Sequence, residues 1–310
     1  MSIKAGEYRC KTPVAFLVFN RPDTTKKVFS EIARAKPEKL FVVADGPRHE
    51  RAGEAERCEA VRKVIAGIDW SCDLYTNYSD ANVGCRDRVS SGIDWVFRHV
   101  EQAIFLEDDC LPHPSFFRFC DEILETYCDD PRIMAVSGDN FQFGRKRTDY
   151  SYYFSRYTHI WGWASWRRAW KHYDVSMSHW PANRGGRWLG DFLENRRETE
   201  YWTEVFDLVY QGKIGTWDYQ WLFASWLQSA LCVIPNVNLV SNIGFGVDAT
   251  HTGGRGKVAQ LPTAEMTFPL KHPPTMLRDA AADKKTAELF FRRPLLSKPR
   301  MAISKWLKEG

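Results

Sequence analysis

The chain has 310 residues, 44% of them hydrophobic and 26% charged, with a formal net charge of +4, which suits one large or two small folded domains and excludes a disordered or fibrous polymer. The charge is small and no basic stretch is continuous, so no nucleic-acid partner is expected, and no apolar run approaches the roughly 18 residues of a membrane span. Eight cysteines without CxxC or metal-type spacing, together with the polar start MSIKAGEYRCK, read as reduced thiols of a cytoplasmic protein, while 13 tryptophans supply aromatic faces of the kind that also stack on sugar rings.

Residues 13–20, PVAFLVFN, form a first buried-strand candidate, followed by the turn Arg21-Pro22-Asp23 and a helix carrying Val28, Phe29, Ile32 and Ala33 at helical spacing. Leu40 to Ala44 form a second strand with Asp45 at its carboxyl end and Gly46-Pro47 as the turn. Residues 54–66 place Cys58, Val61 and Ile65 on one helical face, a short strand runs from Asp73 to Thr76, and Val89, Ile93, Val96 and Phe97 define another helix. Arg86 and Arg88 on that helix read as surface charges or as phosphate contacts. Ala103 to Leu106 then run straight into Glu107, Asp108 and Asp109, and Pro112 and Pro114 precede an amphipathic run with Phe116, Phe117, Phe119 and Cys120.

This rhythm predicts an α/β fold: a Rossmann-like, mostly parallel sheet flanked by helices on both faces. In such sheets ligands gather at the carboxyl ends of the strands, where Arg21, Asp45 and the acids 107–109 all fall. Three adjacent carboxylates repel one another and bury no apolar surface. They make physical sense around a hard divalent cation such as Mn2+ or Mg2+, which takes carboxylate oxygen and shares its shell with substrate phosphates. A solvated acidic turn is the simpler alternative.

Beyond a strand at Ile133–Ser137 the pattern loses regularity, and an irregular acceptor-side region is expected. Residues 151–170 combine an alternating strand, a glycine-punctuated aromatic turn with Trp161, Trp163 and Trp166, and a helix start. Residues 174–200 read as a long polar surface excursion, residues 201–211 as a helix, 215–230 as a helix opened by Trp217-Asp218, and Leu231 to Ile234 as a strand. The expected division is a main domain over residues 1–255, with halves at about 12–140 and 141–255, and an extension over 256–310. From about residue 284 that extension mixes Leu289, Phe290, Phe291, Leu295, Leu296, Trp306 and Leu307 with basic side chains. It reads as an interfacial anchor for anionic membrane or as a segment packed on its own domain.

Four stretches in order carry a resemblance: Phe19-Asn20-Arg21 after strand one, Asp45 after strand two, LEDDCLPHPSFF, and Trp217-Asp218. Together they resemble the GT-A nucleotide-sugar glycosyltransferases, and within them N-acetylglucosaminyltransferase I and its bacterial relatives, over roughly residues 12–250. The resemblance implies a GT-A fold and an inverting, divalent-metal-dependent transfer from a UDP-sugar, such as UDP-N-acetylglucosamine, to a saccharide, and the basic tail adds the expectation of a lipid-linked acceptor at the inner face of the membrane. It implies Asp109 as the metal ligand with His251 as a second, and Arg21, Asp45, Glu107, Asp108 and Trp217 on the donor, Asp45 toward the uracil N–H. It also implies Asp218 as the general base. Each position has a plainer reading: a turn former at Asp45, a helix-start charge at Arg21, a cap at Asp218, an exposed loop histidine at His251 and core packing for the tryptophans. The rival functions are a sugar-phosphate nucleotidyltransferase, against which FNRPDTT lacks a glycine-rich phosphate loop, and an inactive carbohydrate-binding protein on the same fold.

Overall fold

In a computed structural model of the chain the described residues are 8–245, 258 and 260–291. The first half alternates as the apolar periods require: β1 (Val14–Val18), α1 (Pro22–Ala35), β2 (Lys39–Ala44), α2 (Glu54–Ile65), β3 (Asp73–Tyr78), α3 (Cys85–His99) and β4 (Gln102–Glu107). These strands lie in the order β3-β2-β1-β4 and all run parallel. Every residue of β1, and of β2 from Leu40 onward, is buried, because helices cover both faces of the sheet. The helix α3 comes close to β2 at Gly92, where a Cβ would meet Val43 at 2.6 Å.

The second half comprises β5 (Cys110–Pro112), α4 (Ser115–Thr126), β6 (Ile133–Ser137), β7 (Tyr152–Ser155), β8 (Trp163–Trp166), α5 (Arg167–Trp170), α6 (Trp180–Arg184), α7 (Trp188–Leu193), α8 (Arg196–Tyr210), α9 (Asp218–Leu227), β9 (Leu231–Pro235), β10 (Val240–Asn242) and α10 (Ala280–Phe290). The sheet continues from β4 as β8-β6-β9-β7, with β8 antiparallel to both neighbours, β6 parallel to β9 and β7 antiparallel to β9. The mostly parallel, helix-flanked α/β sheet is as expected, and its antiparallel pairings fall where the sequence rhythm breaks. One consequence positions the site: β8 reverses direction between β4 and β6, so the carboxyl ends of β1, β2, β4 and β6 share one edge. A separate two-stranded ribbon, β5 with β10, ties residues 110–112 to 240–242.

The polar excursion expected over 174–200 is instead packed structure. It contains α6, α7 and the start of α8, and it buries Trp180, Leu189 and Leu193 against Trp202, Phe206, Phe223 and Trp226. The helices there are too short for an apolar period to show, and their charged residues mask three anchors whose partners lie 9 to 46 residues away. Residues of the expected extension join the same body: Met266 and Leu270 enter the core beside α4, Arg278 bridges Phe154 of β7, and α10 buries Ala282, Asp283, Thr286 and Ala287. Phe290 meets Phe141 at 4.9 Å and Phe291 meets Trp202 at 4.6 Å, so these two aromatics of the tail pack inward rather than toward a membrane. His251 and the basic tail from Arg292 lie outside the described residues. No helix among the described residues is long and apolar enough to cross a membrane.

Candidate functional site

The acids follow from strand geometry. Leu17 of β1 is in register with Glu107 of β4, so the turn after β1 and the Asp108-Asp109 turn between β4 and β5 are neighbours. The Phe19 N–H donates to Asp108 Oδ2 at 3.0 Å. Arg21 reaches across from the start of α1, its Nη1 donating to Asp109 Oδ2 at 2.6 Å and lying 3.7 Å from Asp108 Oδ1. Burial, and after it the charge of Asp109, pushes the Glu107 and Asp108 carboxyls well above the usual range. Three crowded carboxylates against this guanidinium leave an excess of negative charge that an arriving cation would relieve.

Asp109 is held from the other side by the ribbon. The Ile243 N–H donates to the Asp109 carbonyl at 2.8 Å, and a Cβ on Gly244 would stand 2.0 Å from Asp109 Oδ2. Gly244 is thus needed for space rather than for conformation. Gly244→Ala is expected to shift Asp109 or the 243–245 backbone, at a cost of roughly 1–3 kcal/mol in stability, and to weaken any cation binding through Asp109. Thermal unfolding and Mn2+ titration of that variant check it; unchanged values in both would contradict the role assigned to Gly244.

Among the described residues no group of three or more His, Cys, Asp or Glu side chains is arranged as a metal cage. The acid set nevertheless suits a hard cation that keeps most of its shell from water and phosphate and takes one or two protein carboxylates.

Asp218, the first residue of α9, joins the same cluster from the far half of the chain. Its Oδ1 accepts from the Thr216 hydroxyl, and its charge is among those raising Glu107. Cys85, at the start of α3, lies near these acids. Burial raises its thiol, followed by the charges of Glu107, Asp218, Asp45 and Asp109. Four of the acids expected from sequence therefore act on one point, although 173 positions separate Asp45 from Asp218.

Two expected residues have different occupations. Asp45 is 6% exposed, and its carboxylate accepts four bonds from its own surroundings: the Gly46 and Val83 N–H groups on Oδ1, and the Asn82 side chain and Gly84 N–H on Oδ2. In this structure it fastens the 79–84 loop to β2, helped by Gly46, where a Cβ would meet the Ala81 backbone at 2.5 Å. Trp217 is 2% exposed and stacks on Trp163 with ring centroids 5.6 Å apart, so its indole supports the start of α9 from the core. Trp163 and Trp166 are likewise core residues, whereas Trp161 is half-buried at the edge. Arg88 ties the ends of β2 and β3 together through Ala44 O at 3.1 Å and Asn77 Oδ1 at 3.0 Å, and Arg86 pairs with Asp87 at the surface.

A residue absent from the sequence reading is Glu54, 1% exposed at the start of α2. Arg48 grips it with Nε and Nη2 at 3.0 and 2.7 Å, and Asn20 adds a bond at 2.9 Å, linking the loops after β1 and β2. The Arg48 hydrogen bond is the main reason that its carboxyl falls to about 2. A depressed carboxyl stabilises the fold above its unfolded value of 4.5 and loses that contribution as pH falls toward 2. With Arg48 partly solvated, the contribution is about 2 kcal/mol. The wild type should therefore lose about that much more stability than Glu54→Gln between pH 5 and 2.5, as denaturant unfolding at several pH values would register. Equal losses in the two proteins would remove Glu54 from this role. Its only sequence signal was Arg48 after Gly46-Pro47.

No protein-family profile and no curated protein sequence matches the chain. Among solved structures it is similar to the mannosyltransferase of Pyrobaculum calidifontis in complex with GDP-mannose and Mn2+, at 16% identity and TM-score 0.41, covering 74% of this chain and 56% of that one. It is also similar to mouse xyloside xylosyltransferase 1, at 11% identity and TM-score 0.32, covering 69% and 81%. A UDP-glucose pyrophosphorylase complexed with UDP-glucose follows at 11% identity and TM-score 0.27, covering 46% and 62%. The chain thus spans little more than half the length of the mannosyltransferase, and these likenesses go no further than the general arrangement of sheet and helices.

Proposed function

We propose that the protein is an inverting, divalent-metal-dependent glycosyltransferase that moves a sugar from a UDP-sugar to a saccharide or lipid-linked saccharide. The observation that carries this reading is the gathering of Glu107, Asp108, Asp109 and Asp218 at one sheet edge. Two acid functions are needed there. Asp109 would hold a Mn2+ or Mg2+ ion, which supplies positive charge to the diphosphate as it leaves. Asp218, brought by α9, would take the proton of the acceptor hydroxyl on the opposite face of the sugar. Arg21 supports the diphosphate side, Glu107 and Asp108 offer carboxylates to ribose or sugar hydroxyls, and Asp45 acts on the nucleotide side by shaping the 79–84 loop. The basic residues after Arg292 would bring the enzyme to an anionic membrane carrying a lipid-linked acceptor.

The rival is a sugar-phosphate nucleotidyltransferase, which uses the same sheet and a similar acidic site. Here α1 begins at Pro22, directly after Arg21, with no glycine loop between β1 and the helix. Incubation with Mn2+ and UDP-glucose, UDP-galactose or UDP-N-acetylglucosamine is expected to release UDP slowly, and faster with a saccharide acceptor. Pyrophosphate made from UTP and a sugar 1-phosphate would instead establish the nucleotidyltransferase. Saccharide binding with neither product would leave an inactive binding protein.

A further inference from the structure

The shared edge does not end at β4. Trp163, the first residue of β8, pairs with Phe105 of β4 on one side and with Ser137 of β6 on the other. Two residues further toward the edge on each chain are Glu107, Trp161 and Asp139. Two bonds tie Trp161 to Asp139 here: the Gly138 N–H donates to Gly162 O at 2.7 Å, and the Trp161 N–H donates to Asp139 Oδ2 at 2.9 Å. Space for it comes from glycines. A Cβ on Gly138 would meet Val240 at 2.4 Å and Gly162 O at 2.8 Å, and Gly162 has a φ of +70°.

Asp139 is 1% exposed, yet its second oxygen, Oδ1, has no hydrogen-bond partner among the described residues. A buried carboxyl oxygen without a partner is costly, and such groups call for a ligand, a water or a role. It also lies close enough to the acidic cluster for its charge to act on Cys110, next to Asp109. Trp161 adds a half-buried indole whose pose is fixed edge-to-face by Phe141 at 5.3 Å and Phe245 at 5.5 Å. A carboxyl oxygen in need of a hydroxyl partner beside a fixed aromatic ring is the chemistry of sugar binding, since a pyranose presents hydroxyls at its rim and C–H groups on its faces.

We infer that Asp139 Oδ1 and the Trp161 ring form a saccharide subsite next to the acidic cluster, with Asp139 pairing one sugar hydroxyl and so selecting the sugar. The inference rests on the nucleotide-sugar reading above and adds the residues that discriminate among sugars. The hydroxyl belongs to the donor's sugar or to the acceptor, and the two are separable by measurement.

The test compares the wild type with Asp139→Asn, which keeps the shape and removes the carboxyl. Calorimetry with Mn2+ uses UDP alone and then UDP-glucose, UDP-galactose and UDP-N-acetylglucosamine, and the KM of a soluble saccharide acceptor is measured with the best donor. UDP affinity should stay within about twofold. Either the preferred UDP-sugar should bind about tenfold or more weakly, which assigns the donor, or the acceptor KM should rise by that factor, which assigns the acceptor. In both cases the preference among sugars should flatten. A merely structural Asp139, or one that holds only an internal water, would change the melting temperature and leave both constants and the preference within twofold, which overturns the inference while the transferase reading stands. If Asp139→Asn does not fold, Trp161→Ala replaces it with the same expected losses and the same overturning result. A wild type that binds no UDP or UDP-sugar would overturn both readings together.

Discussion

Asp109→Asn should lose Mn2+-dependent binding of a UDP-sugar by a factor of about a hundred or more, because even groups standing behind a metal ligand cost about 10- to 100-fold when changed. The fold should survive. Asp109 is the second cause, after burial, of the raised carboxyls of Glu107 and Asp108, so its neutralisation relieves repulsion at the same time as it weakens the 2.6 Å contact with Arg21. A carboxyl raised in the folded state favours folding at acid pH and withdraws that contribution as pH rises through its folded value. The wild type should therefore be strained at neutral pH, and Mn2+ with UDP-sugar should raise its melting temperature, whereas Asp109→Asn should melt no lower than the wild type and show no such rise. Undiminished metal-dependent binding in calorimetry would show that another residue holds the cation.

The second large effect falls on rate rather than binding. Asp218→Asn should bind Mn2+ and UDP-sugar normally yet transfer the sugar about 10² to 10⁴-fold more slowly, the range lost with a general base. The variant keeps the side-chain oxygen that accepts from Thr216 and the start of α9, so its shape is preserved while its basicity is gone. Asp207, on α8, is committed elsewhere, held by Arg184 and by the Trp180 indole. Single-turnover kinetics and the anomeric configuration of the product decide the matter. Near-normal turnover, or retained configuration, would place the base elsewhere or replace the single displacement.

The local pattern of the sequence determined the elements that build the site edge. Short continuous apolar runs bounded by turn signals fit strands covered on both faces, so β1, β2, β4 and β6 emerged within a residue or two, and with them the positions of Arg21, Asp45 and the three acids. Side-chain engagement was not readable there, because it depends on partners distant in the chain. Whether Asp45 faces a ligand or its own 79–84 loop is decided by the Asn82, Val83 and Gly84 donors that the close approach of Gly46 to Ala81 brings in. Whether a tryptophan is a sugar platform or core is decided by what covers it: Trp217 is buried and stacked on Trp163, while Trp161 stays half-buried, in T-shaped contact with Phe141 and Phe245. The polar segment 174–200 hid three anchors because their apolar partners lie on α8 and α9. Asp139 stands in a Ser-Gly-Asp-Asn stretch after β6, and nothing in the local pattern singles it out. Its idle oxygen exists only because β8, reversed between β4 and β6, lays Trp161 beside it, an arrangement set by sheet order and not by any run of neighbouring residues.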